Sequence, residues 1–473
     1  MTEGSMKIFI AIFLFSLSIE AMNFSRPEKL NWKGVEVHYI EDSRFPTFDM
    51  VFYFDQGALL DGPLSGLTHY TFQWLTLGMD KNGQQISEFD ILDQYETYSN
   101  SPNYSVVYDY SLLSLKGLSK DMKDLTLLTC QLLNHANYPV EKVNNELDKE
   151  KSLLESSLSQ YESYASRAFR HLQLKGTKYE KPITGLHRDL IKINSESLKK
   201  NLQLIMSKSR VKLYLTGPRS ILSVRDTIEN DCRFKSDHSV EHVNASSSKM
   251  ETIPFKINAP KMRQMSFYFM PVEGANQVYV SLGSTLVGNY GKRDDLAVLA
   301  SEVLTGGFSS ILMNEIRTKR GLSYGIQSTI AEFNDYGRSI ITSFSKNETY
   351  LKLIDVTLSA LQKIKQGKLE EERVEKVKKG VIAAQVFKYE LPARLLMEKL
   401  EYDYMGLDFN QFDSFDQEIR KITGDEIRYK INQSFLDGEL IIFALGNKAL
   451  YPEFKKHFSK RGKVKLIEQK EVY

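Results

Sequence analysis

The chain has 473 residues, enough for two or more domains, and its 42% apolar and 26% charged residues are ordinary values for a protein with a packed core. The 62 Lys and Arg residues nearly balance the 60 Asp and Glu residues, and the resulting net charge of +2 argues against a general nucleic-acid-binding protein. Two cysteines, Cys130 and Cys232, exclude a disulfide-rich scaffold and a zinc site made only of cysteines, and histidine is scarce, with eight in the chain.

Residues 1–21 are typical of a secretory signal peptide. A lysine precedes the apolar run Ile8–Phe15, and the small residue Ala21 stands at a plausible cleavage point. The apolar run is shorter than the roughly 20 residues that a membrane-spanning helix needs. We therefore expect an exported protein, periplasmic or extracellular, without a stable membrane span; a retained N-terminal anchor is the alternative. In such a compartment the two cysteines could form a disulfide, although the sequence does not show that they do.

The first half of the chain, residues 22–234, begins with a predicted strand over Asp49–Phe54. A glycine-containing turn and an apolar helix over Ser65–Leu77 follow this strand. Longer helices are predicted over Met122–Leu133 and Val143–Leu174.

A segment poor in apolar residues, 235–249, is the predicted linker between the halves. The second half, residues 250–473, repeats the order of the first. Its predicted elements are a strand over Gln277–Leu282 and helices over Asp294–Leu304, Tyr350–Lys365 and Glu370–Met405.

The ends of the two halves share one offset. Lys192 and Lys421 each precede an isoleucine and differ by 421 − 192 = 229 positions; Gly217 and Gly446 each end an apolar strand and differ by 446 − 217 = 229. In both halves a helix N-cap residue stands two positions after the lysine. The offset indicates two homologous domains in tandem rather than a short-repeat solenoid. Strands and helices without strict alternation predict the α+β class, with each domain an antiparallel-rich sheet packed by helices.

The apolar helix of the first half carries the first candidate motif, which resembles the H-x-x-E-H motif of the insulinase and pitrilysin-like metallopeptidases. In that motif two histidines bind zinc and the glutamate is the general base. The resemblance equates His69 with the first histidine, Phe72 with the glutamate and Gln73 with the second histidine. Phenylalanine cannot accept a proton, and a neutral amide is a weak zinc ligand. The family's third ligand, an acid on a later helix, corresponds to Asp148 or Glu150, and the spacing does not choose between them.

The second half carries a motif that is complete. Residues 306–324 read G-G-F-S-S-I-L-M-N-E-I-R-T-K-R-G-L-S-Y and resemble the C-terminal motif of the same family, in which a helix ends in R-G-L-A-Y. The resemblance equates Arg320 and Tyr324 with a pair that holds the substrate backbone against the zinc and supports the oxyanion. A charged fork and a phenol donor both stabilise a negative oxygen. The structural alternative is a helix-end arginine beside a strand tyrosine.

The resemblance covers most of the mature chain and implies the small two-domain branch that includes the mitochondrial processing peptidases, in which the zinc motif and the arginine–tyrosine pair lie on different subunits. We predict a non-catalytic subunit of an exported heterodimeric zinc metallopeptidase, which lends Arg320 and Tyr324 to a peptide or unfolded-protein substrate. No cofactor is expected in this chain; zinc is expected on the homologous partner. The alternatives are a stand-alone metalloendopeptidase with an altered metal site and a non-enzymatic peptide-binding or scaffold protein.

Overall fold

A computed structural model describes residues 26–157, 159–234, 265–469 and 472. The predicted signal peptide and the predicted linker lie outside these residues, so both stay predictions, as do the domain boundaries drawn from them. No helix within the described ranges combines the length and the apolar composition that crossing a bilayer requires.

The described part of the first half contains one large sheet, one hairpin and eight helices. Its strands are β1 Glu28–Trp32, β2 Val35–Glu41, β3 Thr47–Phe54, β4 Gly78–Lys81, β5 Gln84–Ser87, β6 Asn103–Val106, β7 Ser111–Leu118 and β8 Val211–Gly217. Its helices are α1 Leu67–Gln73, α2 Glu88–Glu96, α3 Met122–His135, α4 Val140–Ser157, α5 Tyr161–Leu174, α6 His187–Leu190, α7 Ser195–Lys208 and α8 Arg225–Asn230.

The described part of the second half contains a seven-stranded sheet and eight further helices. Its strands are β9 Met265–Val272, β10 Gln277–Gly283, β11 Thr285–Val287, β12 Ile326–Glu332, β13 Tyr336–Lys346, β14 Leu440–Asn447 and β15 Lys463–Leu466. Its helices are α9 Asp295–Thr305, α10 Ile311–Met313, α11 Tyr350–Gln366, α12 Glu371–Lys388, α13 Pro392–Tyr404, α14 Phe415–Lys421, α15 Gly424–Phe435 and α16 Tyr451–Phe458. One π-helical turn, Asn314–Thr318, follows α10.

The two sheets share a central strand order. The first runs β1-β2-β8-β3-β7-β6, and the second runs β11-β13-β10-β14-β9-β15, with β12 also paired to β13. In the first sheet β2 is parallel to β8, and β8, β3 and β7 are antiparallel in succession. In the second sheet β9 is parallel to β14, and β14, β10 and β13 are antiparallel in succession. The α+β class and the tandem of two similar sheet-and-helix units are confirmed.

The two helix starts that share the offset are built alike. Asn194 accepts a hydrogen bond from the backbone N–H of Ser197 at 3.0 Å, and the Ser197 hydroxyl accepts one from the backbone N–H of Asn194. Thr423 and Glu426 form the same reciprocal pair at the start of α15. Each capping box satisfies two N–H groups that a helix start leaves without an intrahelical partner.

Both of the longest predicted helices are divided in the structure. The predicted helix Val143–Leu174 corresponds to α4 and α5, and the predicted helix Glu370–Met405 corresponds to α12 and α13. In the second half the division has a local cause, because Pro392 lies at the first position of α13. Proline has no N–H to continue the preceding helix and keeps the residue before it extended. The divisions fall at corresponding places in the two halves. As separate helices, α5 packs on the second sheet and α13 packs on the first sheet.

A disulfide links Cys130 on α3 to Cys232, which follows α8. Both residues are fully buried in the core between the first sheet and its helices. The bond therefore holds the last described residues of the first half against a central helix of that half.

Candidate functional site

The helix that carries His69 is fixed at its N-terminus by a buried carboxylate. Asp61 accepts the backbone N–H groups of Gly66 at 2.8 Å and of Thr68 at 2.7 Å. Burial raises the pKa of Asp61 to about 6, although the hydrogen bonds to the helix start favour its charged form. Gly66 has φ = 93°, and a Cβ there would come within about 3.0 Å of Gly185, so the tight entry to α1 requires glycine.

His69 lies partly buried on α1 between two tyrosines. The rings of Tyr70 and Tyr104 meet its imidazole edge-on, with centroids 5.0 and 5.6 Å away. Burial lowers the pKa of His69 to about 4, and a hydrogen bond with the side chain of Gln73 opposes this shift. The imidazole is therefore neutral at physiological pH.

Gln73 connects α1 to α4. Its Nε2 donates to Oε1 of Glu150 at 2.7 Å, so its amide lies between the imidazole of His69 and this carboxylate. Asp148 points elsewhere, since its carboxylate is exposed and pairs with Lys151 at 2.9 Å. Of the two acids that the sequence left open, the structure brings Glu150 to the motif.

The helical repeat of α4 contains a signal for Glu150. Val143, Leu147 and Leu154 are its buried residues, and Glu150 follows Leu147 by three positions and precedes Leu154 by four. These spacings place Glu150 on the buried face of the helix and Asp148 on the exposed face. The spacing between the two motifs could not choose between the acids, but the periodicity of the second helix could have done so.

Phe72 takes part in the core rather than in a site open to a substrate. Its side chain is 2% exposed and belongs to the main apolar cluster of the first half. The ring of Phe54 on β3 lies 5.6 Å from the ring of Phe72. Nothing at position 72 can accept a proton from a water molecule.

These residues do not fit a catalytic zinc. Such a site needs three protein ligands that offer lone pairs, whereas His69 and Glu150 supply only two. Gln73 turns its N–H donor, and not a lone pair, toward Glu150. His69, Gln73 and Glu150 therefore do not form a catalytic metal site.

A different group of three side chains in the described ranges has the spacing of metal ligands, namely Glu36, His38 and Asp403. Nε2 of His38 lies 2.9 Å from Glu36 and 3.4 Å from Asp403. Lys212 contacts Glu36 at 3.0 Å, and Lys399 forms an ion pair with Asp403. Because cationic side chains already compensate both carboxylates, we interpret this group as an ion-pair network between β2 and α13.

The C-terminal motif contains the π-helical turn Asn314–Thr318, after which the N–H of Lys319 bonds back to the carbonyl of Asn314 at 2.9 Å. The carboxylate of Glu315 accepts from Nη1 of Arg320 at 2.6 Å and from Nζ of Lys319 at 2.5 Å. Nη1 of Arg320 also donates to the Glu315 carbonyl at 2.8 Å. The guanidinium of Arg320 is therefore engaged within its own turn. Single π-turns inside helices are frequent at functional sites.

The arginine on the ring of Tyr324 is Arg317 rather than Arg320. The guanidinium of Arg317 lies 4.2 Å from the ring centroid of Tyr324 and 4.8 Å from that of Phe308. Both rings are largely exposed, with Tyr324 at 74% and Phe308 at 72%. The shared role of Arg320 and Tyr324 on a substrate stays a prediction, and the structure adds Arg317 as the cation on the Tyr324 ring. The sequence pattern did not single out Arg317, because the π-turn changes which side chains share a face and because the position of Phe308 is a tertiary feature.

Comparison with known proteins gives three kinds of similarity. A family profile described as "Peptidase M16 inactive domain" matches residues 192–381. The chain is 21% identical over 429 residues to a protein of Helicobacter pylori named "Non-peptidase homolog YmxG", covering 89% of this chain and 94% of that protein.

Solved structures share the fold. A peptidase M16 inactive domain from Pseudomonas fluorescens aligns with a TM-score of 0.73 at 17% identity, covering 89% of this chain and 98% of that one. The periplasmic protease PqqL from Escherichia coli aligns with a TM-score of 0.66 at 12% identity, covering 94% of this chain and 49% of that one. The profile, the relative and the fold confirm the resemblance to the insulinase/pitrilysin-like M16 family that the sequence predicted.

Proposed function

We propose that this chain is a non-catalytic subunit of an exported two-chain zinc metallopeptidase. The observation that carries the proposal is the contrast between its two motifs. At the first motif, the amide of Gln73 is bonded to Glu150 and Phe72 is buried. At the second motif, Tyr324 is exposed and holds a cation on its ring.

The loss at the first motif removes the chemical step. Peptide hydrolysis by this type of site needs a metal-bound water and a base that takes its proton. Phe72 supplies no base, and the only imidazole of the motif, His69, has one carboxylate beside it instead of two further ligands. Zinc and the base would therefore come from a homologous partner with an intact H-x-x-E-H motif.

The second motif would act on the substrate held by that partner. Arg317 presents a planar fork of N–H donors beside the Tyr324 phenol, and the aromatic contacts restrict the orientation of the guanidinium. Such donors hold a peptide carbonyl and stabilise the negative oxygen that develops during its hydrolysis. The Glu315 contacts of Arg320 use only its Nη1, so Nε and Nη2 remain as donors for its predicted role, and Arg317 adds a second guanidinium on the ring of Tyr324.

The test is reconstitution with the zinc-bearing partner recovered by co-purification from the native cell. Arg317→Ala and Tyr324→Phe in this chain are expected to reduce peptide cleavage by the complex by about 10²-fold, the usual cost of losing one oxyanion donor. Lys319→Ala is the control, because Lys319 is a cation two positions from Arg317 that contacts Glu315 rather than the Tyr324 ring. Full activity of the Arg317→Ala complex would refute the proposed contribution.

Export is part of the same proposal. It rests on residues 1–21 of the sequence and on the disulfide between Cys130 and Cys232, which requires an oxidising compartment to persist. The fold neighbour PqqL is described as periplasmic. Periplasmic recovery of the tagged chain, with residues 1–21 absent from its mass, is the expected result.

One alternative has support of its own: a non-enzymatic peptide-binding or scaffold role. The relative in Helicobacter pylori is named a non-peptidase homolog, and the exposed rings of Phe308 and Tyr324 would serve peptide binding without hydrolysis. A co-purified partner that has no intact zinc motif, together with peptide binding that Arg317→Ala weakens, would favour this alternative.

A further inference from the structure

The loop between α9 and α10, residues 306–310, is held against helix α12 by two cationic side chains. The carbonyl of Ser309 accepts a hydrogen bond from Nη1 of Arg373, and the hydroxyl oxygen of Ser309 accepts one from Nζ of Lys376 at 3.2 Å. Phe308, the preceding residue, contacts Arg317 with its ring. Lys376 and Arg317 therefore contact adjacent, exposed residues of one loop.

Two of the three cations on this loop have no carboxylate partner among the described residues. Nη2 of Arg373 donates to Glu370 at 3.0 Å, so the charge of this guanidinium is compensated. Lys376 and Arg317 form no ion pair within the described ranges. Their contacts are the hydroxyl of Ser309 and two aromatic rings, which leave both positive charges uncompensated.

The carboxylates close to the loop do not cancel these two charges. Glu302 lies against the backbone of Gly306, where an added Cβ would come within 1.9 Å of its Oε2. Glu315 is already paired with the two cations that follow the π-turn. In the part of the chain that the structure describes, neither carboxylate forms an ion pair with Lys376 or Arg317. The surface of this loop is therefore positively charged, which favours an anionic ligand.

Lys376 is accessible to a peptide that Arg317 and Tyr324 hold. Its side chain is exposed, and its ammonium has three N–H donors, of which the hydroxyl of Ser309 accepts one. An extended peptide advances about 3.3 Å per residue, so one peptide can contact Arg317 through a carbonyl and Lys376 through a carboxylate a few residues away.

We propose that Lys376 is a specificity-determining residue, which binds a carboxylate of the peptide substrate and makes the second motif select acidic peptides. The carboxylate comes from an acidic side chain near the cleaved bond or from the C-terminus of the peptide. This inference rests on the proposed function, because it requires a peptide on Arg317 and Tyr324. The ion pair forms at an exposed position, so its contribution is modest and decreases as the salt concentration rises.

The test measures kcat/KM of the reconstituted complex on a series of otherwise identical peptides. In one arm the C-terminus is amidated and a single Glu replaces Gln at successive positions around the cleaved bond. In the other arm all these positions are Gln and the C-terminus is a free carboxylate. We expect about a three- to fivefold preference for the carboxylate in one of the two arms, the range of an exposed ion pair, and a smaller preference at high salt.

Two variants of Lys376 and one control identify the residue. Lys376→Gln is expected to abolish the preference, and Lys376→Glu is expected to reverse it, so that the uncharged peptide is cleaved faster. Lys379→Gln is the matched control, because it removes the same charge from an exposed position one turn further along α12. This control should keep the preference of the wild type.

The inference is overturned if the wild type shows no preference in either arm, or if Lys376→Gln retains the full preference. These outcomes differ from a failure of the proposed function, in which Arg317→Ala leaves the cleavage of every peptide unchanged. If no cleaving complex is recovered, the same peptides carrying a fluorophore are titrated with this chain alone. The ratio of their Kd values then replaces the ratio of kcat/KM values, with the same expected fold-changes in the three variants.

Discussion

A single substitution in the degenerate motif tests whether Gln73 is the residue that prevents zinc binding beside His69 and Glu150. In the folded chain, the amide of Gln73 lies between His69 and Glu150. Gln73→His puts a second imidazole one helical turn from His69 and beside the same carboxylate. The three side chains then supply the ligand set of a catalytic zinc site. We predict that this variant binds one zinc ion per chain.

The magnitude follows from binding linkage. A ligand that binds only the folded state, present at 100 times its dissociation constant, stabilises it by about 2.7 kcal/mol. In the absence of zinc the variant is expected to be less stable than the wild type. The hydrogen bond that it loses is a 2.7 Å contact to a carboxylate, and such contacts contribute about 1.5–3 kcal/mol. Zinc should therefore approximately restore the wild-type stability.

The assay is urea denaturation with and without zinc, combined with metal analysis of the desalted protein. The double variant His69→Ala with Gln73→His has two ligands and is expected to gain no stability from zinc. The reasoning would be refuted if the folded Gln73→His chain retained no zinc, or if the wild type gained the same stability from zinc as the variant.

Three further predictions concern the first half. The pKa of His69 is lowered from 6.5 to about 4, so between these pH values the unfolded chain takes up a proton that the folded chain does not. The free energy of unfolding should therefore fall by at most about 3 kcal/mol as the pH drops through this range. In urea denaturation at several pH values, His69→Asn should make the free energy of unfolding less dependent on pH in this range. The Cys130–Cys232 bond joins residues 102 positions apart, so its removal should lower the free energy of unfolding by about 2–5 kcal/mol. The denatured, unreduced chain should show no free thiol, and two free thiols would contradict the bond. Gly57→Ala would bring a Cβ within about 2.4–2.6 Å of backbone atoms and should cost about 1–3 kcal/mol in thermal or urea unfolding, whereas Gly438→Ala, in open space, should cost less than 1 kcal/mol.

The repeated architecture could be predicted from local signals. The offset of 229 positions relates residues whose roles depend on their immediate neighbours, such as the N-caps Asn194 and Thr423. Both of these residues form capping boxes in the structure. The divisions of the long helices were not predicted, although Pro392 was a local signal for one of them. The packing of α5 on the second sheet and of α13 on the first depends on which sheet each helix meets, and helical periodicity alone carries no information about that choice.

The candidate site was predicted in part. The loss of the zinc motif at Phe72 and Gln73 could be predicted from the sequence, because the motif is defined by its residue types. The periodicity of the buried residues of α4 could have predicted that Glu150, rather than Asp148, faces Gln73, and the structure shows the bond between Gln73 and Glu150. The contact of Arg317 with Tyr324 was not predicted, since the π-turn Asn314–Thr318 changes which side chains share a face.

We infer that the motif at His69, Phe72 and Gln73 binds no catalytic zinc. Metal analysis of the purified wild-type chain, combined with a peptide-cleavage assay with and without a chelator, tests it most directly. We expect less than about one-tenth of a zinc ion per chain and no cleavage that the chelator abolishes, because His69 and Glu150 supply only two ligands. One zinc ion per chain, together with chelator-sensitive cleavage by the chain alone, would contradict it.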